Sequence, residues 1–229
     1  MTNYIKTTRN AALAMFVAAL TFGAGSCKKD GVNENLDPAD QKSFDLMPST
    51  SGSYWKYGSR DGVDYTRYSR GRDSVMNGKT YSYYERQDAG GNLLPEYFGK
   101  NDGYYTMLVD LDGSMTNYLE YVFWKENAAL NDQWNNTGEI TGPGFGKVAV
   151  LIESQEVENG LTMSWGGKTY ANVVHVHSDG KVTALNLKVA TFDFWFAKGL
   201  GVIRQETDVN VAGFYKINHV DSLIEYHLN

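Results

Sequence analysis

Leu185-Asn186-Leu187-Lys188-Val189-Ala190-Thr191-Phe192-Asp193-Phe194-Trp195-Phe196 decides the fold class. Leu185, Leu187 and Val189 alternate with Asn186 and Lys188, the period-two pattern of a strand with one face buried. From Ala190 the apolar set moves to Ala190, Phe192, Phe194 and Phe196, with Thr191 and Asp193 between them. The phase therefore flips between Val189 and Ala190. A one-residue flip sends every following side chain to the other face, so the strand carries a β-bulge there or passes into a second sheet. Either device curves the sheet strongly.

The flanking sequence repeats the strand signal. Asn117 to Glu126 places Leu119, Tyr121 and Phe123 on one face, and Tyr118, Glu120, Val122 and Trp124 on the other. Aromatics on both faces predict a strand covered on both sides. Val148, Val150 and Ile152 share a face within Lys147–Glu156, and Ile224, Tyr226 and Leu228 alternate near the C-terminus. Between such runs stand Asp61-Gly62, Asn77-Gly78, Gly90-Gly91, Asp102-Gly103, Asp112-Gly113, Asn159-Gly160, Gly166-Gly167 and Asp179-Gly180. Asn, Asp and Gly tolerate the positive φ that two-residue hairpin loops need, so these dipeptides predict turns. Only Glu126 to Trp134 reads as a short turn of helix. The expected fold is mainly β: one curved antiparallel meander, a half-barrel or barrel-like sheet spanning residues 51–229.

Composition agrees. The 229 residues include 16 Tyr and 24 Gly against 4 Pro, and 42% are hydrophobic. The net charge of −6 argues against a nucleic-acid partner, which a basic patch would announce. The single Cys excludes a disulfide framework and a cysteine-based zinc site.

That cysteine, Cys27, ends a targeting pattern. Lys6 and Arg9 precede an apolar run from Ala11 to Phe22, followed by Gly23-Ala24-Gly25-Ser26. A spanning helix needs about 20 apolar residues, so this run is too short to cross a bilayer. A basic flank, a short apolar run and small residues are the parts of a signal peptide, read here as residues 1–26. The segment resembles a bacterial lipoprotein lipobox, although Ala24 stands where an aliphatic residue is usual. The resemblance implies that Cys27 is diacylated and becomes the first mature residue. Two or three acyl chains anchor a protein firmly, at about 0.8 kcal/mol per buried methylene. Cleavage would remove two basic residues and no acid, leaving 19 basic and 27 acidic side chains and a net charge of −8. Residues 27–50 are polar and read as the acylated Cys and a flexible tether.

Four further pieces carry a broader likeness: Gly52-Ser53-Tyr54-Trp55-Lys56-Tyr57; Asn77-Gly78-Lys79-Thr80-Tyr81; Gly167 to Val176; and Phe194-Trp195-Phe196-Ala197-Lys198-Gly199-Leu200-Gly201-Val202-Ile203. With Ser26-Cys27-Lys28-Lys29-Asp30, they resemble a family of uncharacterised Bacteroidota lipoproteins. The resemblance implies an outer-membrane protein anchored by lipid, on the periplasmic or cell-surface side, with a β-rich domain and no assigned catalytic residues or cofactor.

Candidate sites are few. His175-x-His177 sets two imidazoles on one face of a strand, and such a pair holds zinc only if a third ligand converges. The sequence identifies no third ligand, so the pair reads as ordinary strand residues and no metal site is assigned. Gly199-Leu200-Gly201 lacks the third Gly and the helix of a dinucleotide loop, and reads as a tight turn or bulge. Asp110-Leu111-Asp112-Gly113 reaches its Gly too early for a calcium loop. Gly142 to Gly146 reads as a plain loop. Trp55, Trp124, Trp134, Trp165 and Trp195 fit core filling, sugar stacking or an apolar cavity, and Phe192, Phe194 and Trp195 are the candidate ligand-binding residues. Asp73, Glu85, Glu96, Glu120 and Asp193 contain no pair that spacing singles out for acid–base work. The expected function is a non-enzymatic, lipid-anchored envelope protein that binds an apolar or glycan ligand or a partner protein. The alternatives are a cell-surface glycan hydrolase using a carboxylate pair and a structural subunit of an envelope complex.

Overall fold

The computed structural model describes residues 46–60, 62, 64–110, 118–142, 146–211 and 215–229. The expected signal peptide, Cys27 and most of the expected tether lie outside the described residues, as do Asp61, Leu111-Asp112-Gly113 and residues 143–145 of the expected loop. Among the described residues twelve strands form one antiparallel sheet: β1 (Tyr54–Ser59), β2 (Tyr65–Met76), β3 (Lys79–Asp88), β4 (Leu93–Asn101), β5 (Tyr104–Asp110), β6 (Tyr118–Lys125), β7 (Gln133–Gly142), β8 (Gly146–Trp165), β9 (Lys168–Val182), β10 (Leu187–Ala197), β11 (Gly201–Val211) and β12 (Tyr215–His227). The order is β6-β5-β4-β3-β2-β1-β12-β11-β10-β9-β8-β7, so the chain meanders outward on both sides of the β1–β12 pair.

The two edges, β6 and β7, curl round to meet and nearly close a barrel. Side chains make the seam. Asn136 on β7 accepts from Val122 N at 3.2 Å and donates to Glu120 O at 2.7 Å. Trp134 Nε1 donates to Val122 O at 3.1 Å. A carboxamide carries one acceptor and one donor spaced like those of a peptide group, so Asn136 does for β6 what a neighbouring strand would do.

Aromatic rings fill the interior. Phe123 of β6 stacks on Phe196 of β10 with centroids 5.2 Å apart, and Tyr121 packs against Phe192 at 5.7 Å and Phe194 at 5.8 Å. Strands far apart in the sheet thus touch across the barrel. One end is covered by the chain entering the domain: Leu46 and Met47 are buried, Tyr84 Oη donates to Met47 O at 2.9 Å, and Ser69 Oγ donates to Ser49 O at 2.6 Å. Gly201 lets this segment approach, because at φ 109° a Cβ there would stand 3.3 Å from Leu46 O.

The expected bulge is present. The β9–β10 register shifts between Lys188 and Ala190, after which Phe194, Phe196 and Ala197 are buried. Three local expectations are corrected. Leu185 belongs to a 3-10 turn, Thr183–Leu185, which Asn186 closes at φ 45°, so β10 begins only at Leu187. Glu126 to Trp134 holds turns without a helix, since Asn127 and Asn131 take positive φ. Asn159-Gly160 and Asp179-Gly180 lie inside strands. Gly160 takes φ 69° within the irregular register of β8, and Gly180 makes room for Ala190, whose Cβ would stand 3.2 Å from a Cβ added there. Asn77-Gly78, Asp102-Gly103 and Gly166-Gly167 do make hairpin turns with both residues at positive φ. Lys198-Gly199-Leu200 forms the β10–β11 turn and Gly201 begins β11.

Candidate functional site: a tryptophan–histidine–carboxylate patch

Strand alternation sends Phe194 inward and its neighbours Asp193 and Trp195 outward. On β9, Val174, Val176 and Ser178 are buried while His175, His177 and Asp179 face out. Cross-strand register then assembles two rows on the outer face. Glu158, His175, Trp195 and Arg204 stand side by side on β8, β9, β10 and β11. Gln155, His177, Asp193 and Glu206 form the next row on the same four strands.

These rows interlock. The His175 ring stacks on Trp195 at 4.2 Å and 15°. Its Nδ1 stands 3.0 Å from Glu158 Oε2 and its Nε2 stands 2.8 Å from Asp193 Oδ1. His177 Nδ1 reaches the same Asp193 oxygen at 2.9 Å. His177 Nε2 stands 3.3 Å from Asp179 Oδ1, an ion-pair distance without hydrogen-bond geometry. Lys188 Nζ also pairs with that Asp179 oxygen. Burial pushes the Asp193 carboxyl up, but hydrogen bonds from His175 and His177 outweigh it and hold the carboxyl below its ordinary value. Trp165, at the tip of the β8–β9 hairpin, meets Trp195 edge-on at 5.9 Å. Arg204 lies over Trp165 with Cζ 4.3 Å from the ring centroid.

Of the residues singled out in the sequence, the patch unites His175, His177, Asp193, Trp165 and Trp195. Phe192 and Phe194 lie inside the barrel against Tyr121, on the opposite side of β10 from Trp195. The other carboxylates stand apart. Asp73 accepts from Ser82, Glu85 pairs with Arg70, Glu96 with Arg67, and Glu120 with Lys79. Among the described residues no two of the five share a hydrogen-bonding partner. Glu158 and Arg204 had no sequence signal, because both belong to the patch only through register. The Asn159-Gly160 irregularity beside Glu158 was the nearest clue.

A second polar group sits inside. Asp221 Oδ2 accepts from Gln205 Nε2 at 3.0 Å and from Tyr65 Oη at 3.3 Å. Arg67 pairs with Glu96 at 2.5 Å and donates to Tyr57 Oη at 3.3 Å. Asp221 Oδ1 stands 2.7 Å from Nε2 of the equally buried His219, an ion-pair distance without hydrogen-bond geometry.

The described residues thus form a nearly closed antiparallel β-barrel bearing an outward Trp–His–carboxylate patch. No protein-family model matches the chain, and no curated protein matches it. One similar solved structure is the crystal structure of the hypothetical lipoprotein YmcC from Escherichia coli K12. It is 11% identical, with a TM-score of 0.39, over 82% of this chain and 89% of that chain. A likeness of that size does not establish a shared function.

Proposed function

We propose that this chain is a non-enzymatic envelope lipoprotein, anchored to the outer membrane through acyl chains on Cys27, whose outer patch binds a glycan. The anchoring rests on the basic flank, the short apolar run and the lone cysteine after small residues. The glycan reading rests on one observation: Trp165 and Trp195, both half-buried, meet edge-on on the outer face beside Arg204 and beside His175 with its partners Glu158 and Asp193. Sugars pair an apolar ring face with a belt of hydroxyls, so an aromatic surface ringed by hydrogen-bonding groups suits them. An apolar ligand in the barrel is less favoured, because stacked Phe123, Phe194 and Phe196 occupy the interior at that level. Hydrolysis is less favoured as well. The His175 ring fills the space between Glu158 and Asp193, where an acid–base pair would need room for substrate or water.

Two measurements test the proposal. Labelled palmitate enters the wild-type protein in cells and fails to enter Cys27→Ser; equal labelling of both refutes the anchor. Detergent-solubilised protein binds members of a bacterial glycan array, and Trp165→Ala weakens that binding at least tenfold. Binding unchanged by Trp165→Ala, or no bound glycan, refutes the glycan reading.

A further inference from the structure

We propose that the outer patch is assembled in a pH-dependent way: protonated His175 closes it, and loss of one His175 proton loosens it. The ring stands between two carboxylates. Its Nδ1 is 3.0 Å from Glu158 Oε2 on β8, and its Nε2 is 2.8 Å from Asp193 Oδ1 on β10. An ionised carboxylate only accepts hydrogen bonds, and a neutral imidazole has a single N–H. Neutral His175 therefore donates to one carboxylate and turns a lone pair toward the other. Only the imidazolium, with two N–H groups, donates to both. The same charge strengthens the stack on Trp195, whose ring lies 4.2 Å away at 15°.

The neighbouring charges leave Glu158 and Asp193 to the histidines. On the surrounding strands Lys181 pairs with Glu153, Lys188 with Asp179, and Arg204 with Glu206. Among the described residues Glu158 and Asp193 form ion pairs with histidine alone. His177 shares the Asp193 oxygen through Nδ1 at 2.9 Å, and its Nε2 stands 3.3 Å from Asp179 without hydrogen-bond geometry. One N–H satisfies that arrangement, so the need for a second ring proton falls on His175. Burial raises the Asp193 carboxyl, but hydrogen bonds from both histidines outweigh it and hold the carboxyl below its ordinary value. Asp193 thus stays ionised where imidazoles titrate.

When His175 is neutral, Glu158 is the carboxylate that turns away. Its side chain is 49% exposed, whereas Asp193 is 22% exposed and keeps its bond from His177. Glu158 sits where the β8–β9 ladder is interrupted, with register shifts on both sides of it and a third before Met163. An interrupted ladder bends and holds its strand less firmly, so the side-chain bond to His175 matters there. The hairpin beyond carries Trp165, which meets Trp195 edge-on at 5.9 Å and lies under Arg204. Release of Glu158 frees the root of this hairpin and loosens the Trp165–Trp195 pair. The sign follows from the proton: the bond is complete below the His175 titration and is lost as pH rises through it. In strong acid it is lost again as pH falls through the Asp193 titration.

The inference concerns the patch proposed above for glycan binding, but its first test needs no glycan. Full-length protein in detergent, isotope-labelled at histidine and tryptophan, is titrated with acid and base and followed by NMR. On the acid side both His175 ring nitrogens should carry protons. As pH rises, the Trp165 indole signal should move with the His175 midpoint. Glu158→Gln, at a half-exposed side chain, should fold as the wild type does and lower that midpoint by about half a unit or more, because it removes a carboxylate facing the ring. Asp193→Asn should lower it as well. A midpoint unmoved by Glu158→Gln, or a Trp165 signal that does not follow His175, overturns the proposal. The glycan array then separates the two readings. Bound members should bind at least threefold tighter at about pH 6 than at about pH 8, and His175→Gln should abolish that difference. Equal binding at both values overturns this inference and leaves the glycan reading standing. An intact His175–Trp165 titration with no bound glycan does the reverse.

Discussion

Replacing Asn136 by alanine should open the barrel seam without disturbing the core. The side chain makes two hydrogen bonds to β6, donating to Glu120 O at 2.7 Å and accepting from Val122 N at 3.2 Å. Each is worth about 1 kcal/mol net, so removing both should cost about 2 kcal/mol. For a chain of this size that lowers Tm by about 4–8 °C. Trp134 and Ser154 still donate to Val122 O, at 3.1 and 3.5 Å, so the edges stay near each other. The sharper readout is local. The Val122 N–H loses its acceptor, and its hydrogen exchange should rise by about the same 2 kcal/mol, roughly thirtyfold, if it exchanges by local opening. Tyr84 and Val174 amides, on central strands, should keep the protection set by global stability. Asn136→Asp separates the two bonds, because a carboxylate still accepts from Val122 N–H but cannot donate to Glu120 O. Unchanged Val122 exchange in Asn136→Ala would refute the closure by side chains.

Two further outcomes follow from the interior. Arg67→Met should destabilise the protein by about 3 kcal/mol in urea unfolding, because it leaves the Glu96 carboxylate without its cation in a largely buried place; Arg67→Met with Glu96→Leu should recover much of the loss, and equal loss in both variants would contradict the pairing. Burial pushes the Tyr57 phenol up from 10.0 to about 12, while Tyr65 is raised well above 10.0 by burial and by Asp221. A raised folded value means that the stabilisation is complete below pH 10 and is lost as pH climbs through 12, because the unfolded chain releases its protons first. Stability should therefore fall between about pH 10 and 12 in step with phenolate absorbance, and Tyr57→Phe should flatten part of that fall; a wild-type curve flat across this range would refute the burial argument.

Much of the fold was legible because strand chemistry is local. The phase flip at Val189 and Ala190 announced a bulge, since period-two alternation admits no other local explanation except a change of sheet. Asn77-Gly78 and Asp102-Gly103 announced hairpins because their backbones must take positive φ. The same rule failed at Asn159-Gly160 and Asp179-Gly180. A glycine that permits a bulge or a close Cβ approach looks in sequence like one that permits a turn.

The sequence by itself determined that the chain is a mostly antiparallel meander, where its bulge lies, and which alternate residues share a face. It also placed the lone Cys27 behind a basic flank, a short apolar run and four small residues. Only the tertiary structure decided that β6 and β7 meet, that Asn136 joins them, and that Asp193 stands between His175 and His177. The physical reason is register. Alternation states which face a side chain takes, but the residue opposite it depends on turn lengths and bulges summed along the sheet. Glu158, His175, Asp193 and Arg204 come from four strands, and nothing in the local sequence of any one strand names its neighbours.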